Sequence, residues 1–99
     1  MALTQKTEEF NRWLSALRDD GARAKILVRI QRLEAGNFGD VKDVGEGISE
    51  MRIDHGPGYR VYYKRVGLEI YLLLCGGEKA GQRRDINLAK KLASELKGK

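Results

Sequence analysis

Along the first third of the chain, apolar side chains recur with the period of a helix. Phe10, Trp13, Leu14 and Leu17 stand at i, i+3, i+4 and i+7, the spacing of one buried helical stripe. Thr7 precedes them as a cap, and Glu8 and Glu9 suit the positive end of the helix dipole. "RDDG" then interrupts, with Asp19 or Asp20 placed to cap a second helix. Its stripe is Ala22, Ile26, Ile30 and Leu33, and Gly36-Asn37 supplies its stop. A link this short predicts a helical hairpin. Residues 37–47, "NFGDVKDVGEG", are glycine-rich without a helical period and read as a loop.

The period then changes to two. In "ISEMRI", Ser49, Met51 and Ile53 face one way, and Glu50 and Arg52 face the other. In "YRVYYKRV", Val61 and Tyr63 oppose Arg60, Tyr62 and Lys64. "EIYLLLC" is apolar on both faces, as in a strand covered on both sides. Gly67 marks the turn before it. From about Ala80, Ile86, Ala89, Leu92, Ala93 and Leu96 form a third helical stripe. The order predicts an α+β fold: an N-terminal helical hairpin packed on a curved antiparallel sheet of three to four strands, with a C-terminal helix. Residues 2–6 would supply the optional edge strand, and residues 1–99 read as a single domain.

Composition narrows the class. With 41% hydrophobic and 33% charged residues, the chain is globular rather than disordered. Its longest apolar run, Ile70 to Cys75, falls far short of the roughly 20 residues of a membrane span. The N-terminus lacks the basic, apolar and small-residue segments of a signal peptide. A single cysteine, Cys75, excludes an internal disulfide or a multi-cysteine zinc site. These features point to a cytoplasmic protein. The net charge of +5 is unevenly spread: residues 1–51 carry 8 Lys/Arg against 9 Asp/Glu, and residues 52–99 carry 11 against 5. A basic second half suits an anionic partner, nucleic acid being the commonest, although solvated surface lysines and arginines would look the same.

Two stretches can carry chemistry. In "DHGPGYRVYYKR", the Gly56-Pro57-Gly58 segment suits a type II turn, with Pro57 and Gly58 at its centre, or a slightly longer hairpin loop. Closing that hairpin would bring Arg52 and Arg60 together on one face, continued by Tyr62 and Lys64. Such a basic and aromatic ladder suits RNA, with cations on phosphates and rings stacked on bases; the plainer reading is the polar outer face of any sheet. In "GGEKAGQRRD", glycines at a strand's end before a helix can receive a phosphate, with Lys79, Arg83 and Arg84 adding charge. The ending of a Walker loop is missing, and an ordinary strand-to-helix connection explains the segment equally well. His55, the sole histidine, has an ordinary pKa of about 6.5 suited to proton transfer, though a lone loop histidine is more often simply exposed. Cys75 reads as a small core residue, and no residue spacing suggests a metal site.

The combination of "GNxGDxK", "RIxxGPGYRVYY" and "GGxKxxQxxDI" resembles the RelE/ParE superfamily of toxins from bacterial type II toxin–antitoxin modules, in its HigB-like branch, over nearly the whole chain. The resemblance implies a helical pair against an antiparallel sheet. It also implies one of two activities: ribosome-dependent cleavage of messenger RNA, or poisoning of DNA gyrase or another protein target without nuclease chemistry. The implied cleavage is attack of a 2′-hydroxyl on the adjacent phosphorus, without metal or other cofactor. By the resemblance, Arg60 is a phosphate stabiliser and Arg52 and Lys79 are further cations; Tyr62 and Lys64 of the strand face, and Arg83 and Arg84 before the last helix, are the expected RNA contacts from the reading above. The tyrosine that RelE-like members carry near the start of the last helix falls near Asp85. The acid or base role therefore passes to His55, Asp85 or Glu50, or is absent. Implied partners are a helix-turn-helix antitoxin that covers the basic face, the ribosome and messenger RNA, with DNA reached only through the antitoxin. A binding module that keeps the fold without toxicity is the third possibility.

Overall fold

The structure, a computed structural model, describes residues 1–97. Strand β1 (Leu3–Lys6) leads into helices α1 (Glu8–Ala16) and α2 (Asp20–Glu34). Strands β2 (Val41–Gly45), β3 (Ile48–Ile53), β4 (Tyr59–Gly67) and β5 (Ile70–Glu78) follow. A single 3-10 turn (Lys79–Gly81) then enters helix α3 (Gln82–Lys97). The strands form one sheet in the order β1-β5-β4-β3-β2. Consecutive strands from β2 to β5 pair antiparallel, whereas β1 runs parallel to β5. The α+β expectation holds. The sheet is larger than three to four strands, and it is mixed rather than purely antiparallel.

The helices begin where their caps place them. Thr7 accepts from the Phe10 amide at 3.0 Å and donates its hydroxyl proton to the Leu74 carbonyl at 2.6 Å, so one side chain starts α1 and docks it on β5. Asp19 caps α2 through the Ala22 amide at 3.1 Å. The expected stripes of both helices pack on one face of the sheet, around Met51, Ile53, Tyr59, Val61, Tyr63 and Leu73. Helix α3 covers the opposite face, where Ala89 and Ala93 meet Ile48, Tyr62, Leu72, Leu74 and Cys75. Of its expected stripe, Leu96 lies outside the core and is exposed. The sheet is therefore covered on both faces, with a separate core on each.

Strand β2 corrects the loop reading of residues 37–47. Val41 packs on the first core and Val44 on the second. Neither face shows a run of alternating apolar residues, and a register shift between Asp43 and Gly45 breaks the period again. The hairpin connection, residues 54–58, is the longer of the two loops expected. Its closing bond runs from the Gly58 amide to the His55 carbonyl at 3.0 Å, which puts Gly56 and Pro57 at the centre. Gly56 has φ +55°, and proline fixes a negative φ, so the pattern is that of a type II′ turn rather than type II.

Gly76 and Gly77 sit back to back in β5 and admit one helix side chain on each face. A Cβ on Gly76 would lie 2.3 Å from the Trp13 ring of α1, and one on Gly77 would lie 1.9 Å from Asp85 Oδ2 of α3. We expect Gly76→Ala to destabilise the fold by about 2 kcal/mol, the usual cost of overpacking, measured by urea unfolding. An unchanged midpoint would mean that Trp13 can move aside freely.

Candidate functional site

The register of the β3–β4 hairpin builds the site. Arg52 stands opposite Arg60, and Glu50 stands opposite Tyr62. All four side chains project from the α3 face of the sheet, the two arginines at its open end and the other two beneath the helix. Glu50 is fully buried. Its Oε1 accepts from Arg52 Nε at 3.1 Å and lies 3.9 Å from Arg60 Nε. Its Oε2 accepts from the Tyr62 hydroxyl at 3.0 Å and from Gln82 Nε2, in the first turn of α3, at 2.7 Å. A carboxylate withdrawn from water is tolerated when donors surround it in this way.

Above this layer lies an open groove of about 440 Å³, lined by Arg52, Arg60, Lys79 and the Gly56–Gly58 turn, with Asp40 and Asp54 contributing carboxylates. Lys79 reaches it because its amide donates to the Gly58 carbonyl at 2.7 Å, which ties the end of β5 to the hairpin turn. From behind, Arg29 of α2 donates to the carbonyls of Arg52 and Asp40, holding the groove's backbone in place. Arg60 spends Nη1 on its own strand, donating to the Tyr59 carbonyl at 3.1 Å. Its Nε is buried without a hydrogen-bond partner.

The other candidate residues are placed differently. Tyr62, expected on an exposed ladder, is fully buried in the second core, so its ring is closed to a nucleotide base. Burial, with Glu50 as acceptor of its proton, drives its pKa far above the ordinary tyrosine value. Lys64 lies four residues from Arg60 along β4, about 13 Å at strand spacing, in a separate depression with Glu46 and Lys90. The ladder is thus interrupted at its middle by α3. His55 is turned toward the other side of the hairpin. Its Nε2 meets Asp19 Oδ2 at 3.0 Å, and its ring stacks on Tyr59. The Asp19 carboxyl is held below its usual range by the Ala22 amide first and by His55 next. Arg83 and Arg84 are exposed on α3, outside the groove's lining, and Arg84 Nε is 3.4 Å from Asp85 Oδ1. Of the glycines expected to cradle a phosphate, Gly76 and Gly77 pack against Trp13 and Asp85, and with Gly81 and Arg84 they line a second open pocket of about 420 Å³. The Cys75 thiol is buried, and desolvation pushes it up to about 12, which leaves it unreactive.

Asp85 is buried, with Oδ2 unpartnered over Gly77. Desolvation holds its carboxyl above the ordinary value, and nearby Arg84 offsets this only in part. Sequence reasoning missed Gln82, Asp40 and Asp54. Gln82 was visible only inside the "GGxKxxQxxDI" motif, and nothing in the spacing of Asp40 and Asp54 placed them at the hairpin.

The protein is thus a two-sided α+β fold with an open groove in which Arg52, Arg60 and Lys79 meet Asp40 and Asp54 above a buried carboxylate. The chain belongs to the family described as phage derived protein Gp49-like (DUF891), whose model matches residues 12–94 and so includes every residue of the groove. A Haemophilus influenzae protein, described as an uncharacterized protein, is 54% identical over 90 residues, 91% of either chain. Among the described residues, no helix is long and apolar enough to cross a membrane.

Asp85 gives a signed pH effect. A carboxyl with a raised folded-state pKa contributes stability that is fully present below its unfolded value, about 3.9. That contribution is lost as pH rises through the folded value. Compared with Asp85→Asn, the wild type should therefore lose stability progressively above about pH 4, read by urea unfolding across a pH series. A pH-independent difference would show that Asp85 titrates normally.

Proposed function

We propose that this protein is the toxin of a toxin–antitoxin pair and that it acts by cleaving RNA in the groove between the β3–β4 turn and Lys79. The observation that carries the reading is the direct cross-strand pairing of Arg52 with Arg60. Like charges facing each other across a ladder repel, and one shared carboxylate below them balances only one of the two. Lys79 adds a third cation, and although Asp40 and Asp54 line the same groove, the two facing arginines still offer a phosphodiester paired guanidinium donors.

The chemistry follows from what lines the groove. The 2′-oxygen of a bound ribonucleotide attacks the adjacent phosphorus, forming the O2′–P bond as the P–O5′ bond breaks. Arg52 and Arg60 stabilise the charge that develops on the phosphorane oxygens. Asp40 or Asp54, exposed residues of the groove's lining, accepts the 2′-hydroxyl proton in this reading, and the Lys79 ammonium returns one to the 5′-oxygen. The products are a 2′,3′-cyclic phosphate and a 5′-hydroxyl. An acid or base role for His55 or Asp85 has less support, because the first is bonded to Asp19 and the second is shut beneath α3. The groove is open to solvent, which suits a substrate held in place by something larger, as a translating ribosome holds its message. A helix-turn-helix antitoxin that covers the groove with acidic residues fits the same charge.

Induced expression in bacteria should arrest growth within minutes and leave 5′-hydroxyl ends inside translated codons. Lys79→Ala, at an exposed position, should lower cleavage roughly 10²-fold, the usual worth of one proton-transfer group. Arg60→Ala should abolish both arrest and cleavage. Arrest with intact messages would instead indicate a protein target such as gyrase.

A further inference from the structure

Glu50 is the one acidic side chain in the described residues with no exposed surface, and it does not reach the groove. Its four neighbours are unequal. Tyr62 and Gln82 both donate to Oε2, which fixes the plane of the carboxylate from the side of α3. Oε1 faces the two arginines alone, bonded to Arg52 Nε at 3.1 Å and 3.9 Å from Arg60 Nε. Both guanidinium groups therefore turn their Nε edges inward to one oxygen. Arg52 is held through that edge only, and its side chain remains 35% exposed toward the groove. Arg60, only 12% exposed, is fixed from the opposite strand.

We infer that Glu50 is a positioning residue: its buried carboxylate sets the separation and outward aim of Arg52 and Arg60, so that the pair grips a phosphate group as one two-armed clamp. The inference rests on the reading of the groove as a phosphodiester site. A free guanidinium pair at cross-strand distance would splay apart, because each cation repels the other. A shared anion below offsets part of that repulsion and draws both planar forks toward one point before any ligand arrives. Pre-set forks lose less side-chain entropy on binding an anion than two independent arginines do. Gln82 extends the arrangement, since the start of α3 reports on the clamp through the same oxygen pair.

The test uses the full chain with inorganic phosphate as probe, followed by NMR of the arginine Nε–Hε groups. In the wild type, the Arg52 and Arg60 signals should follow one binding curve. Glu50→Gln keeps the side chain's size and removes its charge; it should weaken phosphate binding about tenfold, the scale of one lost charge-assisted contact, and split the two signals into separate curves. Gln82→Ala leaves the charge in place and loosens it at a half-buried helix start, and should weaken binding about threefold, less than the full worth of a hydrogen bond to a charged group because Gln82 reaches the arginines only through Glu50. That variant decides the matter if Glu50→Gln does not fold. Unchanged affinity with jointly moving signals in the folded Glu50→Gln protein, or unchanged affinity in Gln82→Ala, would overturn the inference. A wild type that binds phosphate through both arginines but leaves messages intact would overturn RNA cleavage and leave the clamp standing.

Discussion

Withdrawing a carboxylate from water costs several kcal/mol unless donors replace the lost hydration, and Glu50 is withdrawn completely. Its donors come from three elements: Arg52 on its own strand, Tyr62 on the neighbouring strand, and Gln82 on α3. The seat of α3 on the sheet and the aim of the groove's cations are therefore solutions to one electrostatic demand. Breaking such a group from one side leaves an uncompensated charge, which is why its neighbours are constrained together rather than singly. Arg60 is the exception within the cluster, since its Nε is buried at 3.9 Å from the same carboxylate without forming a hydrogen bond.

The two cores divide the work around this charge. Aromatic and branched side chains from α1 and α2 fill the first, where Phe10, Trp13 and Tyr59 meet at tilted and edge-on angles. The second is built with small residues, Ala89 and Ala93, which let α3 lie close to the sheet. Close approach has a limit at β5, where Asp85 presses on Gly77 and Trp13 on Gly76. The end of the sheet that carries the groove is thus clamped from both faces, while the hairpin turn itself stays open to solvent.

Much of this was legible from residue order. The stripes of α1 and α2 and their caps at Thr7 and Asp19 follow from period alone, whereas the meeting of Arg52 with Arg60 depends on the five-residue loop between β3 and β4 rather than on a tight turn at Pro57-Gly58. Three features were not legible, each for a physical reason. β2 offers one valine to each core, so no periodicity marks it. The parallel pairing of β1 with β5 joins residues that are remote in the chain, and a four-residue strand with mostly exposed positions carries little pattern of its own. The face bearing Glu50, Arg60 and Tyr62 has the composition of a solvated sheet surface. Only the placement of α3 turns Tyr62 and Glu50 inward, and the alanines that permit it are weak hydrophobic signals.

The pairing of β1 with β5 also has a consequence in time. Lys6 lies beside Leu73 in the finished sheet, yet some seventy residues separate them in synthesis. At about 5–20 residues per second, Lys6 waits roughly 4–14 s before Glu78 is made. Arg52 and Arg60 emerge earlier than Lys79 and Gln82, which complete the groove and its buried support. A nascent chain therefore carries its arginines without the arrangement that aims them, and the site comes into being only as the last helix is added.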